Sequence, residues 1–428
     1  MSTPQHDIHR TIDAVWRMES ARVIAGLVRI VRDVGLAEEL AQDALVAALE
    51  KWPDGGIPDN PGAWLMTTAR NRAIDRLRHY RLREEKHVQL AWELEQWQED
   101  AGRRGDELLD DSVGDDLLRL MFIACHPVLP PDSRVALTLR LLGGLETGEI
   151  ARAFLASEAT VAQRIVRAKR TLAEARVPFE IPRREELPER LAAVLGVVYL
   201  VFNEGYAATA GEDWTRPALC EEALRLGRVL AGLMPAEPDV HGLLALMELQ
   251  ASRLPARTGA DGAPVLLLEQ DRARWDRLLI GRGLESLAMA ERLGGGEGPY
   301  ALQAAIAACH ARALTADATD WPRIAGLYAT LARVAPSPVV ELNRAVAVSM
   351  ASGPAAALPL VEALATEPKL AGYHLLPSVR GDLLFRLERH GEARTEFERA
   401  AAMTANARER ELLLARAAQC RDASGSPP

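Results

Sequence analysis

Thr160, Gln163, Arg164, Arg167 and Arg170 crowd into "SEATVAQRIVRAKRTL", residues 157–172. Arginine donates two parallel hydrogen bonds to guanine and glutamine can pair in the same way with adenine, while cationic side chains hold phosphate. This is recognition chemistry, in which no covalent bond is made or broken. Val161, Ile165, Ala168 and Leu172 recur at steps of four, three and four, so they form the apolar stripe of a helix and leave the polar set in front. Ser157 falls at the N-cap position. On this helix Thr160, Gln163, Arg164 and Arg167 lie nearest to base edges, with Lys169 and Arg170 near phosphates.

A second set lies in "NPGAWLMTTARNRAIDRLRHYRLR", residues 60–83, a helix opening near Pro61. Trp64, Thr68, Asn71, Arg72, Asp75 and Arg76 share one face, with Met66, Ala69, Ala73 and Leu77 on the inner side. An aromatic, a hydroxyl, an amide and several guanidinium groups suit single-stranded or partly melted DNA, where stacking and phosphate contacts outweigh groove reading. The plainer alternative puts Trp64 in the core and leaves the arginines solvated. Just upstream, "WPDGGIPD" (52–59) reads as a turn-rich loop able to cup an extruded base.

A third set is acidic. In "GLAEELAQDALVAALEKW" (35–52), Leu36, Leu40, Ala44, Ala47 and Ala48 keep helical spacing, and Glu38, Glu39, Gln42 and Asp43 form the edge. Such an edge is either solvated or docks a basic protein.

The elements that position these groups are helices throughout. Upstream of Ser157, one helix over about 132–142 presents Val135, Leu139 and Leu142 and stops at Gly143-Gly144, and another runs over about 147–154 from Thr147 as N-cap. Two short helices joined by about three residues, the second cationic, describe a helix-turn-helix whose last helix enters the major groove. A helical hairpin with a solvated basic face is the alternative reading.

The chain has 428 residues, 48% hydrophobic and 26% charged, with a net charge of −9, so nucleic acid can be met only through local patches. From Gly62 to Arg83 there are six arginines against one acid; from Glu84 to Asp116 there are twelve acids against three cations, a flexible acidic linker by composition. Cys125, Cys220, Cys309 and Cys420 lie far apart and read as isolated buried thiols in a reducing compartment. The longest apolar run, "LAAVLGVVYLVF", is about a dozen residues, short of the roughly 20 that span a bilayer. The expectation is a cytoplasmic protein that does not enter membranes. No Gly-rich phosphate loop, metal-ligand cluster or nucleophile–base pattern is present, so neither enzyme activity nor a cofactor or metal is expected.

Beyond "VPFEIPRREELP" (177–188), whose prolines mark a boundary, a long helical array follows. Gly391, Ala393, Phe397 and Ala400 stand at tetratricopeptide-like spacing, and 341–364 is a looser copy with Gly353 38 residues before Gly391. Asn203, Glu204 and Tyr206 read as the close of a helix and its turn. The expected fold is all-α: residues 1–83, an acidic linker at 84–116, a helix-turn-helix domain at 117–176, and a helical-repeat extension at 183–428.

The order of the acidic helix, "PGAWLMTTARNRAIDRLR" and "ATVAQRIVRAKRTL" resembles the bacterial sigma-70 family, and within it the small extracytoplasmic-function group that keeps only regions 2 and 4. The resemblance covers residues 10–175. It implies that Glu38, Glu39, Gln42 and Asp43 face the β′ clamp helices of core RNA polymerase. It further implies that the 52–59 loop and the face bearing Trp64, Asn71, Arg72 and Asp75 handle the melted −10 element, that the Thr160–Arg170 face takes the −35 element, with the β flap a further polymerase contact, and that the linker threads the polymerase. Small members end near residue 176; this chain resembles those with a fused tetratricopeptide-like extension, which implies regulation in cis or a protein partner for the extension. The other reading of the residues is a one-component helix-turn-helix regulator with a helical sensor domain. The 35–83 block separates the two, because a simple repressor has no use for it.

Overall fold

The computed structural model describes residues 4–81, 107–259 and 262–425, and they contain eighteen α-helices and one two-residue strand pair. The chain divides into two compact units, residues 1–198 and 199–428.

The first unit opens with three helices, α1 (Pro4–Val31), α2 (Val34–Gly55) and α3 (Pro61–Arg81), packed against one another. Asp33 caps α2 by accepting from the Leu36 N–H at 2.7 Å, and Asn60 serves α3 in the same way through the Ala63 N–H at 3.0 Å. Ile24 and Leu27 from α1 meet Leu40, Ala41 and Ala44 from α2 and Leu65, Ala69 and Ala73 from α3, all essentially without solvent contact. Alanine at the meeting faces lets the backbones approach closely. Leu65 takes the inner place expected of Met66, which is only partly buried. The loop expected at 52–59 is shorter than its composition suggests. α2 continues through Pro53 to Gly55, and the chain turns at Gly56 with φ +81°.

Of the expected acidic linker, residues 82–106 lie outside the described residues. Its remainder, 107–116, is the first half of a helix, α4 (Glu107–Ala124), which packs on α1. Leucines spaced among the aspartates carry a helical pattern that the charge count hides. Next come α5 (Pro131–Leu141), α6 (Thr147–Ala153) and α7 (Glu158–Glu174), the expected helix-turn-helix arrangement. Val135, Leu139 and Leu142 are buried, as are Val161, Ile165, Ala168 and Leu172. Thr147 is the first residue of α6 rather than its cap. Glu146 precedes it, donating its N–H to Glu149 Oε2 at 2.8 Å.

α8 (Leu187–Tyr206) carries the long apolar run and ends in the turn expected at Asn203–Tyr206, where the Ala207 N–H bonds Asn203 O and Glu204 pairs with Arg216. The second unit continues with α9 (Pro217–Leu233), α10 (Pro238–Ala251), α11 (Arg277–Arg292), α12 (Pro299–Arg312), α13 (Trp321–Val334), α14 (Pro338–Ser352), α15 (Pro354–Leu364), α16 (Leu375–Arg386), α17 (His390–Met403) and α18 (Ala407–Gly425). Neighbours in sequence pack as neighbours in space, the habit of helical-repeat arrays. Ala393, Phe397 and Ala400 are fully buried between α16, α17 and α18, and Gly353 supplies the φ of +90° that turns α14 into α15. The sequence does not foretell the closure between this unit's first loop and its last turn. Strands β1 (Ala210–Gly211) and β2 (Ala405–Asn406) pair in parallel, and buried Asn406 donates to the carbonyls of Ala208 and Asp213 at 3.1 and 2.9 Å.

All four cysteines are free and buried. Burial pushes the Cys125 thiol up to about 11 and the Cys220 thiol up to about 12, so neither is a ready nucleophile. Among the described residues no acid, histidine or cysteine cluster could hold a metal, and no helix is long and apolar enough to cross a membrane.

Candidate nucleic-acid interface

The front of α7 is built from its buried back. With Val161, Ile165, Ala168 and Leu172 fixed in the core, the helix has one rotation available, and it exposes Ser157, Thr160, Gln163, Arg167 and Arg170. Ser157 Oγ accepts from the Thr160 N–H at 3.1 Å and lies 2.7 Å from Thr160 Oγ1, so the N-cap is the one expected. Arg164 is only partly exposed and pairs with Asp132 of α5 at 3.0 Å, while Arg170 bonds Glu174 one turn on at 2.7 Å. Both pairs are largely solvated and therefore weak, so a phosphate or base can displace them. Leu155, in the turn between α6 and α7, holds φ +48° and is 57% exposed.

Lys169 departs from the expected front. It points away from Arg167 and Arg170 toward α2, where Nζ closes an ion pair with Glu38 Oε2. The i+4 step from Ile165 places Lys169 beside the apolar stripe, so tertiary packing captures it.

The face of α3 is divided in a way that helical spacing alone does not show. Asn71 and Asp75 are exposed, whereas Trp64, Thr68, Arg72 and Arg76 are partly buried. Trp64 leans edge-on against buried Trp52, with ring centroids 5.3 Å apart at 67°. Arg72 donates to Asp43 O at 2.5 Å and approaches Asp43 Oδ2 at 3.7 Å, and Arg76 pairs with Glu39 at 3.0 Å. The acidic edge of α2 and the cationic face of α3 therefore abut. They form one continuous mixed-charge surface whose arginines are held upright by Glu39 and Asp43.

Glu38 corrects the expectation of a uniformly exposed acidic edge. It is 5% exposed, and its carboxylate takes Arg140 Nε at 2.6 Å, Gln42 Nε2 at 3.0 Å and Lys169. Arg140 was not singled out by the sequence. The signal available was its place three residues before Gly143, on the outer flank of the Val135–Leu139–Leu142 stripe. Burying a carboxylate is tolerated because two cations surround it.

A cationic helix-turn-helix beside a three-helix unit with an aromatic, arginine-bearing face defines an α-helical nucleic-acid-binding protein. Comparison with known proteins narrows the class. Residues 16–83 match the family model for sigma-70 region 2, residues 119–172 that for sigma-70 region 4, and residues 190–291 a family of unknown function. An uncharacterized protein of Rhizobium meliloti (strain 1021) is 47% identical over 394 residues, 91% of this chain and 90% of the relative. A probable ECF RNA polymerase sigma factor, SigI of Mycobacterium tuberculosis, is 29% identical over 174 residues, 40% of this chain and 58% of the relative. The ECF RNA polymerase sigma factor SigK of Mycobacterium bovis is 28% identical over 156 residues, 36% of this chain and 78% of the relative. No solved structure matches. The chain belongs to the sigma-70 family, in its extracytoplasmic-function group, and carries a helical C-terminal extension.

Proposed function

We propose that the protein binds core RNA polymerase in the cytoplasm and directs it to a particular set of promoters, without enzymatic activity of its own. In this reading α7 reads the −35 element through Thr160, Gln163, Arg164 and Arg167, with Ser157 and Arg170 on the backbone. The α3 face bearing Trp64, Thr68, Asn71, Arg72, Asp75 and Arg76 engages the melted −10 element. Glu38, Glu39, Gln42 and Asp43 meet the β′ clamp helices, and region 4 meets the β flap. The extension acts on this module in cis or through a protein partner. The observation that carries the reading is the exposed Thr160–Gln163–Arg167 row on a helix whose buried back leaves it no other orientation. The α3 face supports it, since a duplex-only repressor needs no such surface.

The test is transcription from a library of genomic fragments by core polymerase, with and without the full-length protein, mapping the 5′ ends of the products. Starts sharing two spaced sequence elements support the proposal. Duplex binding without new starts would favour a one-component regulator. The same assay with residues 183–428 removed reads the extension's role, and an unchanged start profile and rate would discard regulation by it.

A further inference from the structure

The second unit holds a knot of interior charge that promoter recognition does not use. Arg253 and Arg257 follow α10, four residues apart, and Arg272 lies in the short turn before α11. Arg253 and Arg272 both approach the Trp275 indole, at 5.4 and 5.0 Å from its ring centroid. Arg257 lies over the Tyr206 ring at 3.8 Å and near that of Trp214 at 5.4 Å. Arg257 and Arg272 are buried and Arg253 is half-buried.

Among the described residues no carboxylate pairs with any of the three. Arg253 donates to the amide oxygens of Gln250 and Gln270 at 3.2 and 3.3 Å. Arg257 donates to Tyr206 O at 3.0 Å, and Arg272 to His310 O, Ala313 O and Thr319 Oγ1 at 2.9, 2.8 and 2.8 Å. The carbonyls at the ends of α8 and α12 satisfy N–H groups, but a helix C-terminus carries only about half a negative charge. Burial, and then the charge of Arg253, lowers the Arg272 pKa from its ordinary value. Like charges held together in an interior cost free energy until something neutralises them. Donors also outnumber acceptors. Arg257 Nε, Arg272 Nε, Trp214 Nε1, Trp275 Nε1 and Tyr206 Oη are shielded from solvent and have no hydrogen-bond partner. Guanidinium and indole nitrogens can only donate, so the cluster lacks both negative charge and acceptor oxygens. Arg253, Tyr206 and Trp214 keep part of their surfaces exposed, so the cluster is reached from outside.

We propose that this cluster binds a small oxyanion, phosphate either free or as a monoester, inside the C-terminal extension. A tetrahedral oxyanion supplies both missing things at once, and guanidinium forks match its oxygens. Three guanidinium groups close together suit a dianion better than a single carboxylate. The extension thereby gains a small-molecule input of its own, separate from any contact with DNA or polymerase. The plainer alternative is that each arginine serves only to cap a helix end.

The test uses the full-length protein in buffer free of phosphate and sulfate, with sodium chloride holding the ionic strength constant. Inorganic phosphate, glycerol 1-phosphate and succinate are each titrated by calorimetry, and the unfolding midpoint is read with and without them. Phosphate or its monoester should give a saturable heat and raise the midpoint by about 5 °C at saturation. Arg253→Met, which keeps the stem against Trp275, should abolish that response and leave the ligand-free midpoint unchanged or higher. Tyr206→Phe removes only a hydroxyl that has no partner in the protein, so it should weaken phosphate binding roughly tenfold without lowering the ligand-free midpoint. It carries the test if Arg253→Met does not fold. No saturable heat from either phosphate compound overturns the proposal, as does a response to succinate alone or an equal rise with added chloride. Variants that lower the ligand-free midpoint and bind phosphate as before would make the arginines helix caps and nothing more. None of these outcomes bears on initiation, so the sigma-factor reading stands or falls by its own assay.

Discussion

Trp52 and Trp64 meet edge to face across the α2–α3 corner, the first fully buried and the second open along one side. The pair settles which indole anchors the corner. Trp52→Ala should cost about 3–5 kcal/mol, as for a large buried aromatic, and be seen as a lower unfolding midpoint. Trp64→Ala should cost far less, about 1 kcal/mol for the lost edge contact, yet reduce opening of promoter DNA. Equal destabilisation by the two substitutions would return Trp64 to a purely structural role.

Arg164 and Arg170 should separate in their effects on DNA. Arg164→Ala should weaken binding by about 1–3 kcal/mol at one or two −35 base pairs and relax preference there. Arg170→Ala, which removes a phosphate contact, should weaken all sequences alike and lower the salt dependence by about one charge. Asp132→Ala, which frees Arg164 from its 3.0 Å partner, should strengthen DNA binding modestly at low salt. Binding curves against a panel of single-base variants at two salt concentrations read all three.

Leu155 holds a left-handed backbone conformation, which an L side chain adopts at a penalty of about 1–2 kcal/mol. Its side chain is mostly exposed, so little apolar burial is at stake. Leu155→Gly should therefore stabilise the helix-turn-helix by about 1 kcal/mol, after allowing for glycine's greater freedom when unfolded. A melting curve checks it, and a lower midpoint would mean that Leu155 contributes packing that its exposure hides.

His310 gives the second unit a pH dependence. Burial, and then the nearby charges of Arg253 and Arg272, push the imidazole down from 6.5 to about 3. The native protein keeps it neutral while the unfolded chain protonates below 6.5. Stability is thus fully present above that value and lost as pH falls toward 3. Between pH 7 and pH 5 the loss should be about 2 kcal/mol, at about 1.4 kcal/mol per unit. His310→Phe, which retains a ring against Trp321 and leaves the carbonyl that accepts from Arg272, should remove that slope. An unchanged slope in the variant would assign the effect to other groups.

How far the amino-acid sequence foretells this molecule depends on how local the cause is. The stripe Val161–Ile165–Ala168–Leu172 and the Ser157 cap are properties of sixteen consecutive residues, and the four stripe residues and the cap occupy their expected places. The fate of Glu38 is set a hundred residues away. Its neighbours Ala37 and Ala41 are fully buried, so it lies at the margin of the apolar stripe. Only the arrival of Arg140 and Lys169 turns that margin into an interior. The 107–116 stretch was obscured because charge density speaks for solvation and says little about helix formation. The pairing of Ala210 with Ala405 joins segments too short to carry a pattern of their own.

The central claim is that this chain and core RNA polymerase together open promoter DNA. The most direct measurement is permanganate reactivity of thymines around the −10 position of a promoter found by the transcript map. Reactivity that appears only when core polymerase and this protein are both present, and is lost with Trp64→Ala, is the predicted result. Protection of intact duplex by the protein alone, with no reactive thymine when polymerase is added, would contradict it.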